Sequence, residues 1–195
     1  MRVGVDLDGV GHIFERGFAA SLLAHGGWGY TRSAVDLLYG EAQSWTFYED
    51  LGLNLEEFTA TCNYGADEGI LFNGHVHDGF VDALARIKAA GHEVHIITDR
   101  AYGSTPEASR RITRLWLHEL GVEYDSLTFS SDKTCVPTDF FIEDKPSNYD
   151  ALVAAGVYCY LVNRPWNTDH VVPTSHRVAS VSEFADILTG AWVAA

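Results

Sequence analysis

The chain has 195 residues, of which 47% are hydrophobic and 21% charged, and its formal net charge is −14 at pH 7. This length suits one domain, or one domain with a sizeable insertion, and the hydrophobic fraction excludes a wholly disordered chain. The acidic balance argues against a protein that coats nucleic acid, because phosphates would be repelled over most of its surface. No apolar run approaches the ~20 residues that span a bilayer and no signal peptide is apparent, so we expect a cytoplasmic protein with no membrane partner. The three cysteines are far apart and predict free thiols.

Strand-like and helix-like segments alternate along most of the sequence. A first strand is predicted over 3–7, and helices over 15–24, 31–39 and 54–62 follow it without an intervening strand. The later segments are a helix over 78–90, a strand over 94–98, a helix from Pro106 to Gly121, strands over 127–129 and 140–142, a helix over 146–155, a strand over 157–162 and a helix from Ser180 to Gly190. Alternating strands and helices predict an α/β fold, a Rossmann-like parallel sheet with helices on both faces.

The helices after the first strand interrupt this alternation and predict an inserted cap. We therefore expect a core over residues 1–13 and 75–195, and a small helical cap over 14–74. Two sites have the spacing of a capping box at a helix start, Asn54 with Glu57 and Ser104 with Glu107.

Polar clusters lie at the carboxyl ends of four of the predicted strands. They are Asp6-Leu7-Asp8-Gly9, Thr98-Asp99-Arg100, Asp132-Lys133-Thr134 and Glu143-Asp144-Lys145. Open α/β sheets bind ligands at the carboxyl ends of their strands, where a threonine hydroxyl can donate to a phosphoryl oxygen. Taken singly, each cluster has an ordinary alternative: a turn, a helix cap, a surface lysine or an acidic loop.

In a parallel sheet, the four carboxylates of Asp6, Asp8, Glu143 and Asp144 converge on one edge. Two like charges ~4 Å apart repel by about 4 kcal/mol at an effective dielectric constant of ~20. Such a group therefore needs a cation or raised pKa values. Mg²⁺ prefers oxygen ligands, and Lys133 adds further positive charge. The pattern predicts a Mg²⁺ site whose charge balance a substrate phosphate completes.

In its order of motifs, D-x-D-G-V over 6–10, a threonine at a strand end, a lysine and then Glu-Asp, the sequence resembles the haloacid-dehalogenase-like (HAD) phosphohydrolases. Within them it is most similar to the 5'(3')-deoxyribonucleotidases and their phage and bacterial relatives, on residues 132–144 and on Asn163-Arg164-Pro165-Trp166-Asn167. The chain departs from that family's frequent pattern at Glu143, where aspartate is common, and at Asp99, where serine is common.

The resemblance implies a Mg²⁺-dependent phosphomonoesterase that acts on (deoxy)nucleoside monophosphates through an aspartyl-phosphate. Asp6 is then the nucleophile and Asp8 the general acid and base. Thr98 and Lys133 are implied to hold the phosphoryl group. The ion is implied to be held by Asp6, the backbone carbonyl of Asp8 and Asp144, with Glu143 on its waters.

Substrate choice is expected to come from the cap, because the core handles only the phosphate. Stacking of a base on an aromatic ring contributes about 1–3 kcal/mol. The candidate substrate-binding residues are Phe18, Trp45, Phe47, Tyr48 and Tyr64 in the cap, and Gly9, Asp99 and Arg100 in the core. Two other functions stay open, a phosphatase for sugar phosphates or nucleic-acid 3' ends and a catalytically inactive phosphate-binding module. The expected partner is a small phosphorylated substrate; a homodimer stays open, and no extended nucleic-acid surface is expected.

Overall fold

The structure, a computed structural model, describes residues 1–26 and 32–190. In chain order its elements are β1 (Arg2–Val5), α1 (Phe14–His25), α2 (Arg32–Tyr39), α3 (Phe47–Asp50), α4 (Leu55–Asp67), α5 (Phe80–Ala89), β2 (Glu93–Thr98), α6 (Pro106–Glu119), β3 (Ser126–Phe129), β4 (Phe140–Glu143), α7 (Pro146–Ala154), β5 (Tyr158–Val162), β6 (Arg177–Val178) and α8 (Val181–Thr189). Contacts group them into two compact units. The sheet unit comprises Met1–Gly11, Val76–Asp99 and the chain from Leu120 onward, and the helical unit comprises His12–His75 and Arg100–Glu119.

The six strands of the described chain form one parallel sheet in the order β3-β2-β1-β4-β5-β6. β1 lies in the middle, and its Val5 is in register with Ile96 of β2 and with Ile142 of β4. The segments that follow these three strands therefore leave the sheet side by side. The predicted α/β fold with a parallel, Rossmann-like sheet is confirmed.

Helices cover both faces of this sheet. Cys159 and Leu161 of β5 pack with Tyr149 and Leu152 of α7 in one buried cluster. Tyr160 lies between them in the strand, and its ring centroid is 5.3 Å from that of Phe184 in α8. Because successive side chains of a strand point to opposite faces, α7 and α8 lie on opposite sides of the sheet.

The helical unit has an aromatic interior. Four rings, which we call the aromatic cluster, lie close together: Phe14 and Phe18 each have their ring centroid 4.9–6.4 Å from those of Phe47 and Phe58, whose own centroids are 6.1 Å apart. The capping box at α4 forms as its spacing indicates, since Asn54 Oδ1 accepts from the N–H of Glu57, and the Glu57 carboxylate accepts from the N–H of Asn54.

Several boundaries differ from the sequence prediction. α4 continues to Asp67, and the predicted start of the second helix at Thr31 falls outside the described residues. Ser104 does not cap α6: its N–H and hydroxyl donate to the Asp67 carboxylate, and the helix begins at Pro106. Helix α6 belongs to the helical unit by its contacts, whereas the sequence pattern assigns it to the core domain over 1–13 and 75–195. The cap boundaries stay a prediction.

Two further observations bear on the chemistry of the chain. The thiols of Cys62, Cys135 and Cys159 are free, as predicted. Among the described helices, none combines the length and the apolar character needed to cross a bilayer.

Candidate active site

Asp6 begins the turn that follows the central strand. Its N–H donates to the carbonyl of Ile142 at 3.2 Å, which extends the pairing of β1 with β4 by one residue. The turn is closed by the Leu7 carbonyl, which accepts from the N–H groups of Val10 and Gly11. Gly9 has φ +77°, and a Cβ there would collide with the Asp144 carboxylate. Glycine thus lets the first acidic turn approach the second closely.

Lys133 reaches Asp6 from the loop after β3. Its Nζ donates to Asp6 Oδ1 at 2.8 Å and to the Ile97 carbonyl at 2.9 Å. The two charged side chains are only 3% and 9% exposed. Asp132 fixes the loop, because its Oδ1 accepts from the N–H and the hydroxyl of Thr134. The lysine is therefore held with its charge against the predicted nucleophile.

Glu143 organises the loop between β4 and α7. The side chain is fully buried, and its Oε1 accepts from the N–H groups of Asp144 and Lys145, each at 3.1 Å. Its Oε2 accepts from Asn148 Nδ2 of α7 at 3.2 Å. These bonds hold the acidic pair at the end of β4.

Asp144 is anchored by the segment after β5. Trp166 Nε1 donates to Asp144 Oδ2 at 2.9 Å, and Asn167 Nδ2 donates to the Asp144 carbonyl at 2.7 Å. Arg164 Nε donates to the Gly9 carbonyl at 2.6 Å. On sequence, this segment stands out through its family resemblance, and Arg164 and Trp166 are candidates for a substrate contact; the structure places them against Gly9 and Asp144. The position of the segment directly after a strand, like that of the four polar clusters, also points to the site.

Three of the four predicted acidic ligands come together. Carboxylate oxygens of Asp6, Glu143 and Asp144 lie within 4.8 Å of one another, and all three residues are buried. The side chain of Asp8 is half-buried and is not in this group; its predicted contribution is through the backbone carbonyl.

Burial raises the pKa values of the three clustered carboxyl groups, and neighbouring negative charges add to the effect. Burial raises the pKa of Asp6, and the Asp8 charge raises it further, although Lys133 opposes both. Burial and the Asp6 charge raise the pKa of Glu143 to about 7, while burial and the Glu143 charge raise the pKa of Asp144 well above its usual value. Burial lowers the pKa of Lys133, but the Asp6 and Glu143 charges outweigh it and raise that pKa. Carboxylate oxygens are the ligands that hard divalent cations prefer, so the residues fit a metal ion.

Thr98 lies fully buried at the carboxyl end of β2. Its Oγ1 has no hydrogen-bond partner among residues 1–26 and 32–190, while its carbonyl accepts from the N–H of Ser130. A buried hydroxyl without a partner costs about 1–3 kcal/mol, so the group is suited to an oxygen of a bound ligand. Asp99, the next residue, is exposed.

Three predicted substrate-binding residues lie in the interior of the helical unit. Phe18 and Phe47 are buried members of the aromatic cluster. Arg100 is 1% exposed, its guanidinium lies 4.3 Å from the ring centroid of Phe72, and its Nη1 donates to Thr113. These contacts give Arg100 a packing role inside the helical unit, and its predicted contact with the substrate stays a prediction.

The other predicted aromatic residues are more accessible. Tyr48 and Tyr64 are half-buried, and Tyr48 has its ring centroid 4.5 Å from that of Phe58. Trp45 is 53% exposed. Of the aromatic side chains predicted for the substrate, Trp45 presents the largest exposed fraction.

The model of the family described as "5' nucleotidase, deoxy (Pyrimidine), cytosolic type C protein" matches residues 1–193. No curated protein matches the chain. A similar solved structure is a predicted phosphatase from Clostridium acetobutylicum, 16% identical with a TM-score of 0.58, covering 97% of this chain and 98% of that one.

Two other solved structures are similar over comparable lengths. A HAD-superfamily hydrolase of subfamily IA from Geobacter sulfurreducens is 16% identical with a TM-score of 0.57, covering 96% of this chain and 95% of that one. A D,D-heptose 1,7-bisphosphate phosphatase from Burkholderia thailandensis is 17% identical with a TM-score of 0.56, covering 95% and 97%. At these identities the likeness shows the fold, which is that of the HAD hydrolases.

The family match extends the structural likeness to activity, and it confirms the predicted resemblance to the nucleotidases of the HAD superfamily. The chain is a phosphatase whose substrate is a small phosphorylated molecule. Because the family model spans nearly all of its residues, the protein belongs to the family of the deoxy (pyrimidine), cytosolic type C 5' nucleotidases.

Proposed function

We propose that this phosphatase hydrolyses (deoxy)nucleoside monophosphates with a Mg²⁺ ion that is held by Asp6, Asp144 and the backbone carbonyl of Asp8, with Glu143 on the waters of the ion. The observation that carries the proposal is the cluster of the three buried carboxylates of Asp6, Glu143 and Asp144, whose pKa values are raised even though Lys133 contacts Asp6. A divalent cation offsets the negative charge of such a cluster. When bound, the ion would screen the nucleophile from the negative charge of the phosphate.

In the first step, a carboxylate oxygen of Asp6 attacks phosphorus and forms an aspartyl-phosphate. The bond between phosphorus and the ester oxygen breaks, and Asp8 gives a proton to the departing alkoxide. The half-buried position of Asp8, two residues after Asp6 in a tight turn, supports this role. Lys133 Nζ, which donates to Asp6 Oδ1, also carries the charge that stabilises the phosphoryl oxygens.

In the second step, a water molecule attacks phosphorus and gives its proton to Asp8. The bond between phosphorus and the Asp6 oxygen breaks, which releases inorganic phosphate and restores both carboxyl groups. Thr98 is assigned to the phosphoryl group, since its buried Oγ1 has no partner within the described chain and can donate to a phosphoryl oxygen.

Recognition of a nucleotide base is the part of the proposal that concerns the helical unit. The exposed ring of Trp45 supports stacking on a base. The family description contains the words "5' nucleotidase, deoxy (Pyrimidine)", which supports deoxynucleoside monophosphates as the substrate class. A cytoplasmic location belongs to the same proposal and is supported by the three free thiols. A homodimer and the lack of an extended nucleic-acid surface stay predictions.

The test is a substrate panel measured by kcat/KM. It compares 5' and 3' ribo- and deoxynucleoside monophosphates with sugar phosphates and p-nitrophenyl phosphate, each in Mg²⁺ and in EDTA. We expect hydrolysis to require the metal and kcat/KM to be at least about 10-fold higher for the preferred nucleotide than for sugar phosphates, because the sugar phosphates lack a base to stack. Equal kcat/KM values for nucleotides and sugar phosphates would contradict the nucleotide assignment. Full turnover in EDTA would contradict the requirement for a bound metal ion.

A further inference from the structure

Trp166 makes a side-chain hydrogen bond to one of the three clustered carboxylates. Its indole Nε1–H donates to Asp144 Oδ2 at 2.9 Å, and Asp144 is buried. An indole N–H is a neutral donor that cannot act as an acceptor. It can therefore fix the rotation of the carboxyl group without adding a positive charge that would compete with a cation.

The segment that carries Trp166 is itself held in place. Asn167 is 1% exposed, and its Nδ2 donates to the carbonyls of Asp144 and Val162 at 2.7 and 2.8 Å. Arg177 Nη2 in turn donates to the Asn167 carbonyl at 2.8 Å. On the other side of Trp166, Arg164 Nε donates to the Gly9 carbonyl. The indole therefore donates to Asp144 from a segment that hydrogen bonds hold on both sides, one of them to Gly9 in the loop of the proposed nucleophile.

We propose that Trp166 is a positioning residue that orients the Asp144 carboxylate for the metal ion. This inference rests on the proposed function, because it takes Asp144 as a ligand. Hydrogen bonds to ligating carboxylates set their orientation, and loss of such a partner typically weakens metal binding about 10- to 100-fold. Trp166 acts through Asp144 and not on the substrate.

The test is the Mg²⁺ dissociation constant of Trp166→Phe, measured by isothermal titration without substrate. Phenylalanine keeps an aromatic ring but has no N–H, so we expect the Kd for Mg²⁺ to rise about 10-fold. The matched control is Tyr149→Phe, which deletes a different hydrogen bond of the sheet unit, between the Tyr149 hydroxyl and His176 Nδ1. Its Kd for Mg²⁺ is expected to equal that of the wild type. At saturating Mg²⁺, Trp166→Phe is expected to recover most of the wild-type kcat.

The outcomes separate this inference from the proposed function. If the wild type binds Mg²⁺ and Trp166→Phe binds it equally well, the positioning role is wrong while the metal site stands. If the wild type binds no Mg²⁺, both are wrong. If Trp166→Phe fails to fold, the wild-type protein is labelled with ¹⁵N-tryptophan and measured by NMR. The indole N–H signal that the substitution Asp144→Asn shifts is assigned to Trp166. Substoichiometric Mn²⁺ is expected to broaden that signal. Mn²⁺ binding with that signal unaffected would contradict the inference.

Discussion

Lys133 Nζ lies 2.8 Å from Asp6 Oδ1, although the two residues are 127 positions apart in the sequence. The pair is buried, and it joins the loop after β3 to the turn after β1. A salt bridge in such a position forms only because parallel strands bring their carboxyl ends to one edge of the sheet. Lys133 lies beside the acidic cluster and supplies the positive charge that balances the carboxylate of the proposed nucleophile.

Replacing this lysine tests the charge balance. Lys133→Met is expected to destabilise the metal-free protein by about 3 kcal/mol near pH 8, because it leaves buried carboxylates without their cation. Urea denaturation in EDTA measures the change. Lys88→Met is the matched control, since the Lys88–Asp125 pair is partly exposed and is expected to contribute at most about 1 kcal/mol. Equal effects of the two substitutions would contradict a buried charge cluster that depends on Lys133.

Thr98→Val tests the assignment of a phosphoryl contact to Thr98. The valine keeps the shape and removes a buried hydroxyl that has no partner within the described chain, so stability is expected to stay constant or rise by up to about 1 kcal/mol. The inhibition constant for inorganic phosphate is expected to rise about 10-fold, because a hydrogen bond to a charged group is lost.

Thr138→Val is the control for that substitution. Thr138 is also buried and its Oγ1 also has no partner in the described residues, but it precedes β4 at the opposite edge of the sheet. Its inhibition constant for phosphate is expected to match that of the wild type. A similar change in both variants would remove the support for a role of Thr98 at the phosphate.

Gly9→Ala tests the close approach of the two acidic loops. The substitution introduces strain at φ +77° and a collision with the Asp144 carboxylate. Gly91→Ala shares the strain, at φ +80°, but meets no atom within 4 Å. We expect Gly91→Ala to cost about 1 kcal/mol of stability and Gly9→Ala to cost more. We also expect only Gly9→Ala to weaken Mg²⁺ binding, as isothermal titration would show; unchanged Mg²⁺ affinity in Gly9→Ala would contradict the proposed site.

The raised pKa of Glu143 predicts how stability depends on pH. Burial and the Asp6 charge raise that pKa to about 7 in the folded protein, from 4.5. Between these values the folded chain holds a proton that the unfolded chain has lost, so stability contributed by this group falls as the pH rises. Urea denaturation of the metal-free protein between about pH 5 and pH 8 measures the slope.

Glu143→Gln is expected to flatten that slope, because the amide does not titrate. Glu123→Gln is the control: Glu123 is exposed and precedes β3 at the other edge of the sheet, so its variant is expected to keep the wild-type slope. If Glu143→Gln also keeps the wild-type slope, the pH dependence arises elsewhere.

Local patterns predicted much of this molecule. The strands were predictable because a short apolar run followed by polar residues is a signal contained in a few neighbouring positions. Their exact ends were not: the pattern extends the first strand to Leu7, whereas β1 ends at Val5 and Asp6 lies directly after it. The capping box of Asn54 and Glu57 was predictable for the same reason as the strands, since its partners are three residues apart.

Other long-range side-chain contacts could not be predicted from the sequence. The hydrogen bond from Trp166 to Asp144 depends on how the chain turns back after β5, which no local pattern encodes. Ser104 has the spacing of a helix cap, but its N–H and hydroxyl instead donate to the carboxylate of Asp67, which is 37 positions away in the sequence. Arg100 is a predicted substrate contact because it follows the second polar cluster; the stacking on Phe72 and Trp116 that lets it be buried depends on residues far from it in the sequence.

The turnover of Asp6→Asn tests most directly the claim that Asp6 is the nucleophile of a metal-dependent phosphatase. With a deoxynucleoside monophosphate at saturating Mg²⁺, kcat is expected to fall at least about 10³-fold, while Glu123→Gln keeps the wild-type value. Circular dichroism is expected to show that Asp6→Asn stays folded. A folded Asp6→Asn enzyme whose kcat is within about 10-fold of the wild type would contradict the claim.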